Sequence, residues 1–237
     1  MRPVIGITCA WSEETWGREA TKNTYDYVAR NYGTAIYQAG GMPVLIPPVA
    51  EHDAMDTCVE ALLQRVDGVY FSGGGDVRRK PGTPIPVLYE QQPTRARWED
   101  ALLKEVYRRD IPALGVCRGY QMMAVAFGGA MDTVRMPEHL QSAPYHLGCH
   151  HVSIAAGSLL SRIVGPQDWL VNSIHVERVM TVPDGFAAAA WAEDGSIEAI
   201  EACEKRFFLG TQFHPELMTE DVRAKSVLRA FVAAAEH

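Results

Sequence analysis

Short apolar segments alternate with amphipathic segments through the first half of the chain. We predict four strands from the apolar segments, at 4–8, 43–46, 68–71 and 111–116. Segments with apolar residues at helical spacing precede the last three of these strands, at 25–39, 52–65 and 98–109. Strands that alternate with helices in this way form parallel sheets through right-handed crossovers, with helices on both faces. The polar stretches at 9–23 and 77–94 are predicted to be loops.

The second half of the chain has closely spaced strands separated by turn sequences. These strands are predicted at 152–154, 176–182, 186–191 and 197–202, and their close spacing favours antiparallel pairing. A last buried strand at 207–213 precedes a C-terminal helix that we expect Thr219 to cap. The whole pattern predicts an α/β fold of three layers, with a mainly parallel, flavodoxin-like central sheet, helices on both faces and an antiparallel strand extension. We expect a single domain over residues 1–237.

Composition narrows the classes of partner. The chain has 29 acidic and 22 basic residues, which gives a net charge of −7, and this argues against nucleic acid or an anionic membrane as the main partner. No apolar run is long enough to span a membrane, and the first strand begins too early for a signal peptide. Five scattered cysteines do not suggest a disulfide framework. We therefore expect a cytoplasmic protein.

The first candidate for chemistry is a G-x-C-x-G motif at residues 115–119, centred on Cys117. It lies between the apolar strand at 111–116 and an apolar helix that Gly128 and Gly129 end. A strand, a sharp turn with flanking glycines and a helix form a nucleophile elbow, which exposes the reactive side chain. The N-terminus of the helix would favour the thiolate. The alternative is that Cys117 is a small apolar residue at a strand end.

The second candidate is the pair His214 and Glu216, 97 positions after Cys117 (214 − 117). Residues i and i+2 of an extended chain point the same way, so the carboxylate can orient the imidazole. A nucleophile, a base and an orienting carboxylate make a catalytic triad. The alternative is a histidine at a strand end with an acid nearby, which is a common arrangement.

A glycine run at 73–75 follows the predicted strand at 68–71, as Cys117 and His214 follow theirs. Functional residues of open parallel sheets gather at the carboxyl ends of the strands, so we expect one shared site. The run has neither a phosphate-loop lysine nor G-x-G-x-x-G spacing, so nucleotide binding is not indicated. A glycine loop beside a nucleophile is better suited to donate a backbone N–H to an oxyanion, with the N–H of Arg118 as the second donor.

Three motifs carry a resemblance to a known family. They are Cys117-Arg118-Gly119-Tyr120-Gln121, Ser72-Gly73-Gly74-Gly75-Asp76-Val77 and Gln212-Phe213-His214-Pro215-Glu216. The chain resembles the class I glutamine amidotransferase superfamily and, within it, the γ-glutamyl-γ-aminobutyrate hydrolase group, peptidase family C26. The likeness continues in the stretches 2–8, 39–43 and 171–175. Arginine directly after the cysteine is typical of this hydrolase group.

The resemblance implies a Cys117–His214–Glu216 triad that hydrolyses a γ-glutamyl amide to glutamate and free amine through a thioester. It also implies oxyanion donors among Gly74, Gly75 and Arg118, and no cofactor. The positions that match the glutamyl-binding residues are Gln121, Asn172, Ser173 and His175. The alternative for these four is helix and strand packing. The expected partner is a small-molecule γ-glutamyl amide and at most a second copy of the chain, with no nucleic acid or membrane.

Trp11 and Trp16 lie in the predicted loop after the first strand, which should border the site. Large rings at that position would suit an apolar or aromatic leaving amine better than a small zwitterion. The alternative is that both rings pack against the helix predicted to begin at Tyr25.

Five of the eight histidines lie between residues 139 and 175, and Glu138 and Cys149 are close to them in sequence. The five are His139, His146, His150, His151 and His175. Their spacing fits no closed four-ligand zinc site, and the mechanism implied by the resemblance needs no metal. We therefore expect no metal site.

Two other functions stay open beside the hydrolase. The first is a glutaminase subunit that supplies ammonia to a partner synthase, although Arg118 and the lack of a fused synthase favour the hydrolase. The second is a catalytically silent binding protein on the same scaffold, against which the intact triad argues.

Overall fold

The structure is a computed structural model that describes residues 1–16, 21–49, 54–74, 88–132, 137–142 and 144–236. The strands in chain order are β1 (Val4–Thr8), β2 (Ala10–Trp16), β3 (Thr21–Tyr27), β4 (Met42–Ile46), β5 (Gly68–Phe71), β6 (Ala113–Val116), β7 (Ala130–Met131), β8 (His150–Ile154), β9 (Trp169–Val171), β10 (Val179–Thr181), β11 (Phe186–Ala192), β12 (Ile197–Ala202) and β13 (Phe208–Thr211). The helices are α1 (Arg30–Gln38), α2 (Met55–Leu63), α3 (Leu88–Gln91), α4 (Pro93–Arg108), α5 (Arg118–Ala126), α6 (Leu159–Val164) and α7 (Val222–Ala234), with a 3-10 helix at Pro137–His139.

One large sheet organises the described residues, with strand order β4-β1-β5-β6-β13-β12-β11-β8-β9. The strands from β4 to β13 in this order are parallel. The strands from β12 onward are antiparallel and extend the same sheet, and the short strands β10 and β7 pair beside β12. The predicted α/β fold, with a parallel central sheet and an antiparallel extension, is confirmed.

Helices cover both faces of the sheet and produce two apolar cores. On one face, residues of α1, α6 and α7, including Ile36 and Phe231, pack against the sheet. On the other face, α2, α4 and α5 contribute residues such as Leu102 and Met122. The central strands β5 and β6 are buried along their whole length, as expected for parallel strands covered on both faces. Within the described ranges, no helix combines the length and the apolar character that a membrane crossing requires.

The loop predicted over 9–23 is wrong. Strands β2 and β3 form a separate antiparallel hairpin, paired from Ala10 with Tyr27 to Trp16 with Thr21. The two strands contain threonine, tyrosine and tryptophan, which favour extended backbone, but no apolar alternation marks them. Because β3 continues to Tyr27, α1 begins at Arg30, five residues later than predicted (30 − 25).

Other boundaries also differ from the prediction. The strands predicted at 176–182 and 207–213 are shorter, as β10 and β13. Asp221 caps α7, because its carboxylate accepts a hydrogen bond of 2.9 Å from the N–H of Ala224, so the cap predicted at Thr219 is wrong. Helix α4 begins at Pro93, five residues before the predicted start (98 − 93), since proline at the first helical position needs no N–H partner. Of the loop predicted at 77–94, residues 77–87 lie outside the described residues, and the rest is wrong because α3 occupies 88–91 and α4 begins at Pro93.

The topology brings three carboxyl-terminal strand ends together. Strands β5, β6 and β13 are neighbours and run parallel. The glycine run follows β5, Cys117 follows β6, and His214 comes three residues after the end of β13 (214 − 211). All three segments therefore lie at one edge of the sheet.

Candidate active site

Cys117 occupies the turn between β6 and α5 with φ 51° and ψ −108°. A non-glycine residue in this region stores about 1–3 kcal/mol of strain, which surrounding structure must hold. The Cys117 N–H donates a hydrogen bond of 2.8 Å to the carbonyl of Thr211, on the neighbouring strand β13. The predicted strand, sharp turn and helix are all present, and the strained residue is the cysteine.

The two glycines that flank Cys117 are required by packing. A Cβ on Gly119 would overlap the carbonyl oxygen of Phe71, on β5. A Cβ on Gly115 would lie 2.9 Å from the carbonyl oxygen of Gly119 and 2.8 Å from the sulfur of Met123. Helix α5 therefore lies directly on β5 and β6, which fixes the direction of the elbow.

We expect Gly119→Ala to lower the free energy of unfolding by about 1–3 kcal/mol or more, because its Cβ meets backbone that cannot move aside. Gly33→Ala is the matched control, since nothing lies within 4 Å of a Cβ at that helical position. Alanine there should stabilise the protein by up to about 1 kcal/mol. Urea unfolding of both variants checks this, and equal stabilities would contradict the close packing at the elbow.

A short hydrogen bond joins His214 and Glu216. The imidazole Nδ1 donates to Glu216 Oε1 at 2.6 Å, and both side chains are buried. The carboxylate also accepts longer hydrogen bonds from the Tyr70 hydroxyl, at 3.3 Å, and from the Asn31 amide, at 3.4 Å. These contacts fix the carboxylate, and the carboxylate fixes the tautomer and orientation of the imidazole.

The surroundings of His214 favour its protonated form. Burial by itself lowers the pKa of the imidazole, but the charges of Glu216 and Cys117 outweigh burial and raise this pKa to about 10. A hydrogen bond to the Cys117 side chain also raises the pKa of His214, so the ring nitrogen that does not contact Glu216, Nε2, serves the cysteine. At neutral pH the imidazolium therefore has an N–H to donate.

The thiol and the imidazole meet at Gly73. A Cβ built on this glycine would lie 3.2 Å from Cys117 Cβ and 3.1 Å from His214 Cε1. The same Cβ would lie 2.7 Å from the Tyr32 hydroxyl, which accepts a hydrogen bond of 2.9 Å from the Gly73 N–H. The cysteine and histidine predicted to share a site are therefore neighbours, and only glycine fits between them.

Arg95 holds the glycine run in place. Its guanidinium is fully buried and donates to the carbonyl oxygens of Ser72, Gly73 and Gly74 at 2.6–3.3 Å. Gly74 has φ 72°, a conformation that favours glycine. Since the Gly73 N–H is bonded to Tyr32, Gly74 and Arg118 remain the described candidates for oxyanion donors, and Gly75 lies outside the described residues.

A buried charged network lies under the site. Glu99 Oε1 accepts from Arg95 Nε at 2.7 Å and from the Thr8 hydroxyl at 2.8 Å. Its other oxygen is 3.8 Å from Nε of Arg118, the residue that follows the cysteine. Because Glu99 stands between two buried guanidinium groups, it links the glycine run to the elbow. Sequence reasoning assigned no role to Arg95 or Glu99.

The four residues expected to bind the glutamyl group are all buried. Asn172 exchanges two hydrogen bonds with the backbone of His214, and the Ser173 hydroxyl donates to the carbonyl of His139. Gln121 donates to the Gln212 side chain. These bonds fit a structural role as well, so substrate binding by Gln121, Asn172, Ser173 and His175 stays a prediction.

A cavity of about 280 Å³ opens beside His214 and Glu216. Its wall includes Gly73 and Gly74 together with apolar and aromatic residues, among them Tyr27, Val28, Tyr145, Ile174 and Leu217. Trp11 is half-buried on β2 but does not contribute to this wall, and the side chain of Trp16 lies outside the described residues. An apolar surface next to the imidazole is present, and residues other than Trp11 form it.

The five histidines of the 139–175 stretch separate into two groups. His146 and His151 are exposed. The imidazoles of His139, His150 and His175 converge on the buried carboxylate of Glu198, on β12. The sequence spacing did not reveal this cluster, because its acidic member lies 23 positions beyond the last of these histidines (198 − 175).

The fold and the strand-end site define a class I glutamine amidotransferase-like protein. The chain belongs to the peptidase C26 family, whose sequence profile matches residues 3–216. It is 28% identical to the γ-glutamyl-γ-aminobutyrate hydrolase PuuD of Escherichia coli, over 87% of this chain and 85% of that protein. It is 32% identical to a Mycobacterium tuberculosis protein named "Putative glutamine amidotransferase", over 99% of this chain and 75% of that protein. Family membership places the chain among hydrolases and amidotransferase-like enzymes.

A solved structure agrees with the fold assignment. The crystal structure of a "putative gmp synthase subunit a" from Thermoplasma acidophilum superposes with a TM-score of 0.63, covering 99% of this chain and 94% of that one. Sequence identity is 18%, so this likeness supports the fold alone.

Proposed function

We propose that this protein is a cysteine-dependent hydrolase that cleaves the γ-glutamyl amide bond of a γ-glutamyl-amine, with Cys117, His214 and Glu216 as its triad. The observation that carries the proposal is the 2.6 Å contact between His214 and Glu216 beside a cysteine held at φ 51°. A nucleophile next to a base that a carboxylate orients is the arrangement of acyl-transfer enzymes.

In the first half of the reaction, the Cys117 thiolate attacks the γ-carbonyl carbon and forms a C–S bond. The backbone N–H groups of Gly74 and Arg118 stabilise the oxyanion of the tetrahedral intermediate. The His214 imidazolium donates its Nε2 proton to the departing nitrogen, so the C–N bond breaks and the amine leaves neutral. A pKa raised to about 10 supports this role, because the imidazole carries that proton at neutral pH.

In the second half, His214 is neutral and acts as the base. It removes a proton from water, the hydroxide attacks the thioester carbonyl, and the C–S bond breaks to release glutamate. His214 is then protonated again and Cys117 is again a thiolate, so the starting ion pair is restored. Glu216 holds the imidazole in one orientation throughout and stabilises each imidazolium state.

The cavity wall supports an apolar or aromatic leaving amine. Tyr27, Tyr145 and Ile174 offer contact area to a ring but no charge to pair with a carboxylate such as that of γ-aminobutyrate. We therefore expect kcat/KM for γ-glutamyl-anilide to exceed that for γ-glutamyl-γ-aminobutyrate by about tenfold, which corresponds to about 1.4 kcal/mol of transition-state contact. Glutamate release from both substrates measures the ratio, and a preference for γ-glutamyl-γ-aminobutyrate would contradict the proposed specificity.

The wider proposal is tested by a screen of γ-glutamyl amides for glutamate release, with Cys117→Ala as the blank. Glutamate release from at least one amide by the wild type, with none by the Cys117→Ala blank, would establish the hydrolase. If no amide is turned over by the isolated protein, the γ-glutamyl hydrolase proposal fails, whichever amine was expected.

A glutaminase subunit that passes ammonia to a synthase is the second candidate. The 32% identity to the protein named "Putative glutamine amidotransferase" supports it. The two candidates differ in what activates the site. Glutamine hydrolysis that appears only after a synthase partner is added would favour the glutaminase.

A further inference from the structure

Four side chains from four separate segments meet on one side of the antiparallel extension. Glu198 on β12 lies at the centre, with Oε1 3.5 Å from His175 Nε2 and 3.8 Å from His139 Nδ1. Its Oε2 is 3.8 Å from Nε2 of His150, on β8. The ligand atoms of His139, His150 and Glu198 all lie within 4.8 Å of one another. His139 ends the 3-10 helix and His175 follows β9.

The atoms that face the centre of this cluster are buried and unpartnered. They are His139 Nδ1, His150 Nε2, His175 Nε2 and both carboxylate oxygens of Glu198, and none makes a hydrogen bond with a described residue. The Glu198 side chain is fully buried and that of His175 is 2% exposed. Native proteins leave few buried polar atoms unpaired, and an unpaired buried carboxylate is costly. Five such atoms at one point indicate a binding site for a ligand.

Outer contacts set the tautomers of two of the imidazoles. His175 Nδ1 lies 3.0 Å from the carbonyl of Glu177, and a carbonyl only accepts, so the proton is on Nδ1. His139 Nε2 lies 3.1 Å from a carboxylate oxygen of Asp194, which accepts a hydrogen bond, so the proton of this ring is on Nε2. In neutral rings, His175 Nε2 and His139 Nδ1 then direct lone pairs at Glu198. A lone pair that faces a carboxylate is repelled by it unless a proton or a metal ion lies between them.

We propose that His139, His150, His175 and Glu198 bind a divalent transition-metal ion, with zinc the best match. Three imidazole nitrogens and one carboxylate oxygen suit zinc, and ligands about 2.0–2.2 Å from a tetrahedral zinc lie about 3.3–3.5 Å apart. Two of the Glu198 contacts run from Oε1 and one from Oε2, and all three are at most a few tenths of an ångström longer. Small shifts of the side chains around the ion would complete the set, with His175 joining the group that His139, His150 and Glu198 already form. The Asp194 and Glu177 contacts supply the outer support that metal-binding histidines usually have.

A water molecule explains the cluster less well than a cation does. One water has two hydrogens to donate, whereas two lone-pair nitrogens and two carboxylate oxygens all need a donor or a positive charge. Four protein ligands leave no open coordination position, so the zinc would be structural. It would join the 3-10 helix, β8, β12 and the segment after β9. This assigns His175 to metal binding in place of the glutamyl binding expected for it, and it does not depend on the proposed hydrolase activity.

The test uses tag-free full-length protein, stripped with a chelator and then titrated with zinc or cobalt. We expect about one zinc per chain by elemental analysis after gel filtration, and a visible absorption band typical of tetrahedral cobalt. Thermal unfolding should shift upward by about 5–10 °C when free zinc is about a hundred times its dissociation constant. Wild-type protein that retains no zinc and shows no cobalt band would overturn the proposal.

Glu198→Gln removes the charge with little change of shape and should weaken zinc binding at least about 100-fold. His150→Gln provides a second variant in case the first fails to fold, because its side chain is 23% exposed at the rim of the cluster. His151→Gln is the matched control, an exposed histidine on the same strand. The control should bind zinc as the wild type does, and equal loss in the control, or no loss in a folded Glu198 or His150 variant, would refute the assignment.

Discussion

Cys117→Ala should reduce kcat/KM for γ-glutamyl amide hydrolysis by about 10⁴-fold or more, because no thioester can form without the thiol. The fold should be unaffected, since alanine is smaller than cysteine and the elbow is held by Gly115 and Gly119 on either side. Glutamate release measures activity, and circular dichroism with thermal unfolding measures the fold. A folded alanine variant with substantial activity would contradict the assignment of the nucleophile.

Cys203→Ala is the control for general effects of removing a thiol. Cys203 is a free, exposed cysteine in the turn after β12, so its loss should leave turnover unchanged. A glutamine-like electrophile extends the comparison, because it should label the Cys203 variant as it labels the wild type and leave the Cys117 variant unlabelled. Such labelling also separates a hydrolase from a catalytically silent binding protein.

The sequence predicted the parallel part of the sheet well because its strands are short, apolar and buried on both faces. Every residue of β5 and β6 is buried, and a short apolar segment of this kind is typical of a parallel strand covered on both faces. The β2–β3 hairpin was not predicted, because it stands apart from the main sheet and its strands are mostly polar. Apolar periodicity reports contact with a core, so an element with little core contact gives little signal.

The residues of the site also fall into those that the sequence predicted and those that it did not. Cys117, His214 and Glu216 could be found because local sequence determines their geometry, through flanking glycines in one case and i, i+2 spacing in the other. The roles of Tyr32 and Arg95 could not be predicted, because both residues reach the site from elements far away in sequence. Their functional contacts exist only after the helices pack.

The histidine-rich stretch at 139–175 is a second case in which sequence spacing did not predict which residues come together. Spacing counted along the chain gave no closed set of metal ligands, whereas folding selects three histidines and adds Glu198 from β12. Strands β8 and β12 are separated by β11 in the sheet, so His150 and Glu198 become close only through the pairing of three strands, which a ligand-spacing pattern does not show.

Glu216→Gln should lower kcat by about 10²–10⁴-fold with a smaller change in KM, because the neutral amide no longer stabilises the His214 imidazolium. The pH profile distinguishes this from a structural effect. The carboxylate helps to raise the pKa of His214 to about 10, so its removal should move the alkaline limb of kcat/KM to lower pH. Glu220→Gln is the matched control, since that side chain is 91% exposed, and it should change neither kcat nor the limb.

Stability should respond to the same substitution with a defined pH dependence. His214 has a pKa of about 10 in the folded protein and about 6.5 in an unfolded chain. The stability from its protonation is therefore complete below about pH 6.5 and is lost as pH rises through about 10. Urea unfolding of the wild type should show this loss of stability between about pH 7 and about pH 10, a range that lies between the unfolded and folded pKa values of His214. The Glu216→Gln variant should lose less stability over the same range. An identical pH dependence in the two proteins would mean that Glu216 does not hold the imidazolium, and the triad would lose its third member.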